Sequence, residues 1–442
     1  MRPSLVRVSD PRRSALHRGG RARRQLRRRR REGERQWRMN HGPIVIVGGG
    51  HAGAQLCSAL VAEGQGARVH LVCDEPEVPY QRPPLSKSFL KNPLEALQPH
   101  RAEAWFAEAG ITLHRSDAAI GIERERRVLR LQSGRELPYE SLVLATGARA
   151  RTLPALPAGL ANVVLLRSAA DALALRAHLA AAPRLTVLGG GFIGLEIAAT
   201  ARARGLDVEV LESAARLLSR SLSPELAAHV LASHQAAGMG LRLGVQVGGF
   251  EIEGHRLVAL QVDGVRQPVD LLVMGIGALP ETTLAQRCGL DVDNGIVVDA
   301  CLRTSDAAIL AIGDCSNFPG ATDGRRLRLE SVQNATDQAR TAAATLLGRE
   351  EPYRALPWFW SDQGALRLQM TGLMPTDGTR HRRPGANAGS FSILHYAGER
   401  LVCVESANAP MDHLMARKLL EAGRHPSPEQ ACDPATPLKS LL

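Results

Sequence analysis

From Pro43 onward, short runs of β-branched and aliphatic residues alternate with Ala-rich stretches of helical period. That alternation predicts α/β units with parallel strands, because a strand buried on both faces needs a crossover helix to cover it. Two segments share one pattern, IVIVGGGHAGAQLCSAL at 44–60 and LTVLGGGFIGLEIAATA at 185–201. In each, an apolar run predicts a buried strand, a glycine cluster a tight turn, and spaced apolar positions an amphipathic helix. One supersecondary unit repeated about 140 residues later predicts two nucleotide-binding folds in one chain. From Tyr353 the texture changes. Trp358, Phe359 and Trp360 adjoin, His, Arg and Gly interrupt the pattern, and no Gly-rich turn occurs, which predicts a separate C-terminal domain.

A length of 442 residues suits about three domains. The net charge of +11 would suggest a nucleic-acid or membrane partner if it were spread over the folds, but it is not. Residues 1–38 hold 15 Arg against Asp10, Glu32 and Glu34, a net of +12, which leaves residues 39–442 at 11 − 12 = −1. The Arg run from Arg21 to Arg38 has no apolar period and is expected to be disordered. Because Met39 opens MNHGPIVIVGGG just before the first strand, it is expected to be the natural start, with residues 1–38 a leader without function; a nucleic-acid arm or a transit peptide are the competing readings. The seven cysteines are odd in number, scattered and free of CxxC pairs, and read as reduced cytosolic thiols. No stretch approaches the roughly 18 apolar residues of a membrane span. A cytoplasmic protein is expected, monomeric or homodimeric, with neither membrane nor nucleic acid as partner.

In the first repeat Gly48, Gly50 and Gly53 stand as GxGxxG directly after IVIV. The first glycine permits the turn, the second lets the backbone approach a pyrophosphate, and the third lets helix and strand pack closely. The helix N-terminus then faces the phosphate charge. The next strand, ARVHLVCD, ends in Asp74, 21 residues after Gly53, where a carboxylate can accept from ribose hydroxyls. In the second repeat Gly189, Gly191 and Gly194 keep the spacing, and the strand LDVEVLES ends in Glu212, 18 residues after Gly194. A carboxylate there binds a 2′-OH and repels a 2′-phosphate, which predicts NADH over NADPH; Arg216 could soften that preference.

Two dinucleotide sites imply one fixed and one exchanging cofactor. In TSDAAILAIGDC (304–315) a strand ends in Gly313 and Asp314, where an aspartate can approach a ribityl hydroxyl of a flavin. Eighteen residues later a helix begins, and its first N–H groups, around Val332 and Gln333, can stabilise negative charge on a reduced flavin ring.

The chain resembles the flavoprotein pyridine nucleotide-disulfide oxidoreductase superfamily, and within it the bacterial ferredoxin reductases of cytochrome P450 and aromatic-ring dioxygenase systems. The resemblance runs from Pro43 to Leu442 and is carried by PYQRPPLSKSFL (79–90), LVLATGAR (142–149), LRSAADA (166–172), GGGFIGLEIAA (189–199), AIGDC (311–315), LESVQNATDQA (329–339), PWFWSDQ (357–363) and PATPLKSL (434–441). It implies an α/β fold of two Rossmann-like FAD/NAD(P)-binding domains in a glutathione reductase-like architecture plus a C-terminal α+β domain. The FAD-binding domain would be discontinuous (39–150 and 281–352), the NAD-binding domain 151–280 and the C-terminal domain 353–442.

The resemblance also implies roles. Ala52, Asp74, Lys87, Ala119, Arg167, Asp314 and Val332 fall at FAD-contacting positions, and Ile193 and Gly277 at the NAD site, Gly277 in the loop that closes over nicotinamide. Lys87 and Glu196 look like an ion pair beside the flavin ring, where a fixed cation favours the anionic reduced flavin. Trp360 looks like the aromatic near the isoalloxazine. The chain departs from the disulfide reductases, which carry a redox cysteine after the second strand. Here that stretch reads DEPEVPYQRPPLSKSFL.

The implied activity is transfer of hydride from NADH to FAD and of single electrons onward to a small [2Fe–2S] ferredoxin, with rubredoxin, quinone or oxygen as alternative acceptors. Arg325, Arg326 and Arg328 form either a docking patch for an acidic carrier or a solvated face.

Overall fold

The computed structural model describes residues 42–321 and 324–442. The Arg-rich run and the expected start at Met39 lie outside the described residues.

The apolar run Ile44–Val47 is fully buried at the centre of a five-stranded parallel sheet. Its neighbours are Val69–Val72 on one side and Ser141–Leu144 on the other, with Thr112–His114 and Ile309–Ala311 at the edges. The last strand returns from far along the sequence. It brings the turn Gly313–Cys315 beside the first Gly-rich helix, His51–Ala62, which lies against the helix Val332–Leu346. Gln338 secures this arrangement: its buried Oε1 accepts from the Gly313 N–H at 2.7 Å and from Ser316 Oγ at 2.9 Å.

The second sheet is also parallel, in the order Gly240–Leu243, Asp207–Glu212, Arg184–Leu188, Leu271–Met274 and Val163–Val164. Each fold inserts a three-stranded antiparallel meander before its return strand, at 119–138 in the first and 247–268 in the second. Ala148–Ala150 and Ala278–Pro280, where the chain leaves the first fold and comes back to it, pair antiparallel.

The C-terminal segment forms a five-stranded antiparallel sheet, ordered Trp358–Gln363, Leu366–Gly372, Arg400–Ala407, Phe391–Ala397 and Thr379–Pro384, covered by the helix Pro410–Glu421. Its apolar face does not close on itself. Leu366, Leu368, Phe391 and Ile393 share one buried core with Leu195, Ile197 and Val230 of the second fold. That shared core lays the edge strand Trp358–Gln363 along the helix Phe192–Ala203, with the Phe192 and Phe359 rings 4.7 Å apart between centroids. Side chains of a strand alternate, so Phe359, Ser361 and Gln363 face the helix together.

Candidate active site

Both Gly-rich turns are built in the same way. Gly48 has φ +115° and Gly189 φ +99°, in the left-handed region that favours glycine, and a side chain at either position would strike a neighbouring carbonyl, Ala145 O or Gly275 O. Past the turns, the helices His51–Ala62 and Phe192–Ala203 start at Gly50 and Gly191 with no side-chain cap and no acidic residue in the first turn. Such a helix start presents uncommitted N–H groups and a positive dipole end, which suits a diphosphate. At Val332–Leu346 the Ser331 hydroxyl caps the Asn334 N–H at 3.0 Å, not those of Val332 or Gln333.

One cleft gathers half of the eighteen site residues singled out in the sequence. Gly50, Ala52, Lys87, Arg167, Ile193, Glu196, Asp314, Val332 and Trp360 all line it. Two of them meet directly, Arg167 Nη2 lying 3.0 Å from Asp314 Oδ2. Lys87 Nζ lies 2.7 Å from Glu196 Oε2. Glu196 is only 2 % exposed, and its carboxylate also accepts from the Ser86 and Ser361 hydroxyls. None of the residues lining the cleft is a cysteine. Burial pushes the thiols of Cys57, Cys315 and Cys403 above their ordinary value and that of Cys73 up to about 12, so these sulfurs are poor nucleophiles.

The remaining singled-out residues lie elsewhere. Gly189, Gly194 and Glu212 cluster at the second turn: the Glu212 carboxylate accepts from the Gly190 N–H at 2.6 Å and the Ala214 N–H at 2.7 Å, which anchors it over the glycines. Arg216 is committed to the backbone. It donates to the carbonyls of Leu222 and Ser219, at 2.6 and 2.9 Å. Gly277, φ +102°, sits in the loop before Ala278–Pro280. Ala119 opens the meander of the first fold and does not line the cleft.

Asp74 is exposed, two residues past the end of its strand. The sheet registers explain the offset. Val47 pairs with Val72 and Leu188 with Leu211, so the position equivalent to Glu212 is Cys73, not Asp74. An extra helical turn at Gly66–Arg68 lengthens the first connection and hides this from residue counting.

Arg82 was not singled out in the sequence, though it stands inside PYQRPPLSK. Its guanidinium lines the cleft beside Gly50, held by Glu75 Oε1 at 2.6 Å, the Tyr80 hydroxyl at 3.2 Å and the Arg167 carbonyl at 2.6 Å. His51 also lines the cleft, its ring edge-on to His100 with centroids 4.6 Å apart. The Arg run read as either a docking patch or a solvated face is partly committed internally: Arg326 donates to Val298 O and to Asn317, and Arg328 pairs with Glu330 at 2.5 Å. Among the described residues no helix is long and apolar enough to cross a membrane.

Comparison with known proteins agrees with this architecture. Residues 42–339 match the family described as pyridine nucleotide-disulphide oxidoreductase, and 358–442 match a reductase C-terminal domain. The chain is 42 % identical to rhodocoxin reductase of Rhodococcus erythropolis, over 90 % of this chain and 94 % of that protein. It is 41 % identical to the anthranilate 1,2-dioxygenase system ferredoxin--NAD(+) reductase component of Burkholderia cepacia, over 91 % of this chain and all of that one. Among solved structures, the reductase of the covalent putidaredoxin reductase-putidaredoxin complex superposes with a TM-score of 0.87 at 38 % identity, covering 91 % of this chain and 98 % of that one. With two Gly-rich turns, a shared cleft and this likeness over nearly the whole described length, the chain belongs to the pyridine nucleotide-disulphide oxidoreductase family.

Proposed function

We propose that the chain is a cytoplasmic ferredoxin--NAD(+) reductase that passes electrons from NADH through FAD to a small [2Fe–2S] ferredoxin serving a cytochrome P450 or an aromatic-ring dioxygenase. One observation carries the reading: Gly50 and Ala52 of the first helix start and Ile193 of the second line the same cleft, as do both members of the Lys87–Glu196 pair. Two dinucleotides bound at those turns would present their reactive ends to one space. The relatives named as ferredoxin reductases of oxygenase systems support the choice of acceptor.

FAD, when bound, supplies the step that NADH lacks, accepting two electrons as hydride and releasing them singly. The chain binds and orients. The first helix start and the Arg82 guanidinium would hold the diphosphate, Arg167 and Asp314 would face the ribityl chain, and Val332 would lie at the ring's polar edge. Lys87 would hold positive charge beside the ring. Glu212 would accept from the adenosine ribose of NADH. Trp360 and Phe359 would wall the cleft against water. The seven cysteines are free, which supports a reducing compartment.

Purified holoprotein supplied with NADH is expected to reduce a [2Fe–2S] ferredoxin faster than it reduces rubredoxin, a quinone or oxygen. Brisk turnover with those acceptors and none with any [2Fe–2S] ferredoxin would sink the proposal.

A further inference from the structure

Behind the Lys87–Glu196 pair runs a row of buried polar groups that the mechanism leaves unused. Ser361 Oγ donates to Glu196 Oε1 at 2.6 Å, Gln363 Nε2 donates to Ser361 Oγ at 3.1 Å, and His234 Nε2 lies 2.7 Å from Gln363 Oε1. All three side chains belong to residues no more than 2 % exposed. The row leads from the cleft that Glu196 lines to a second one lined by Arg202, Ser233, His234 and Gln363.

Donor and acceptor arithmetic fixes its direction. An ionised Glu196 can only accept, so Ser361 gives it its single hydroxyl proton and receives from Gln363 Nε2. That turns Gln363 Oε1 toward His234, whose Nε2 must carry the hydrogen. Burial holds the His234 imidazole below its ordinary value, which leaves a neutral ring with that N–H to donate. Each dipole in the row points its positive end toward Glu196, and aligned hydrogen bonds of this kind polarise one another. Ser361 satisfies the buried Glu196 carboxylate, but apolar groups of the same shape in place of both Gln363 and His234 would fill the space at little cost in stability. Packing alone therefore does not account for the choice of residues.

We propose that Ser361, Gln363 and His234 are positioning residues that hold the Glu196 carboxylate on Lys87 and so set how much of the Lys87 charge reaches the flavin ring. The proposal rests on the reading that this pair borders the flavin. Its sign follows from electrostatics. When the row is broken, Glu196 keeps only its Oε2 partners, Ser86 and Lys87, so its carboxylate is held less firmly against the ammonium, the ammonium is less compensated, and the anionic reduced flavin gains stability. The flavin midpoint potential then rises.

The test is that potential, measured on holoprotein by equilibration with reference dyes. Ser361→Ala, Gln363→Met and His234→Leu are each expected to raise it, by less the farther the broken link lies from Glu196. Ser361→Thr, which keeps the hydroxyl, is expected to hold the wild-type value. The flavin absorbance spectrum identifies the folded variants, and since the links are broken separately, either Ser361→Ala or Gln363→Met decides if it folds. A folded Ser361→Ala or Gln363→Met with an unchanged potential overturns the proposal. Lys87→Gln separates the two possible failures. If its potential also stays put, the pair does not border the flavin; if it moves while the row variants do not, the row is packing alone.

Discussion

The Lys87 ammonium and the Glu196 carboxylate come from different folds, 109 residues apart in sequence, and meet at 2.7 Å with one partner 22 % exposed and the other 2 %. Such a pair costs desolvation, and its worth depends on the charge it places rather than on stability. In Lys87→Met the cation that the proposed reading places beside the flavin is lost. Hydride transfer from NADH in stopped-flow reduction is expected to slow about tenfold to a hundredfold, toward the low end of what a lost electrostatic contact costs because Lys87 keeps some solvent. Thermal stability should fall as well, by about 3 kcal/mol or less, since Glu196 retains its two serine donors.

On the proposed reading Glu212 sets the nucleotide preference. Its carboxylate stands over the second glycine turn while Arg216 is spent on backbone carbonyls, so Arg216 is not held ready for a 2′-phosphate. In Glu212→Ser the ratio of kcat/KM for NADPH to that for NADH is expected to rise about tenfold or more, equivalent to roughly 1.4 kcal/mol, mainly through weaker use of NADH. An unchanged ratio in steady-state assays would place the ribose elsewhere.

Thiol reagents should leave the enzyme working. Cys57, Cys73, Cys315 and Cys403 are buried with raised thiol values, and no cysteine lines the cleft. Iodoacetamide at neutral pH is expected to label these four only after unfolding, with NADH oxidation intact, as read by mass spectrometry alongside activity. Loss of activity in step with alkylation of any one of them would show thiol chemistry after all.

Acid should weaken the C-terminal domain through His413. Its Nδ1 is buried without a partner, and burial, then Arg417 and Arg367, hold its imidazole down to about 4 from 6.5. Between those values the unfolded chain binds a proton that the folded chain refuses, so stability is complete above about 6.5 and declines as pH falls toward 4, by about 3 kcal/mol at most. In His413→Leu the thermal midpoint should lose part of its slope over that window. An identical slope in wild type and variant would mean that other groups carry the acid sensitivity.

Local pattern made much of the fold legible. Runs such as IVIV and the glycines at 48 and 189 encode burial and backbone dihedrals within a few residues, and the strands and helix starts are where that pattern places them. Asp74 shows where counting fails. The pattern of ARVHLVCD puts it at the strand end, but the strand stops at Val72, and strand register, which depends on how a connection is spaced, sets Cys73 opposite the position of Glu212. Arg82 stood in a quoted motif and went unnoticed, since only the folded chain shows its guanidinium at the first glycine turn.

What the sequence determined by itself is the pair of glycine turns, the buried strands before them and the carboxylate after the second, because each follows from steric and solvation rules acting over one turn or one strand. What only the tertiary structure decided is which distant groups share a site: Arg167 with Asp314, Lys87 with Glu196, and Ser361 and Gln363 with His234. Those meetings depend on closing long loops and on a core shared between the second fold and the C-terminal sheet. That is the summed packing of many residues, and no short window of sequence carries it.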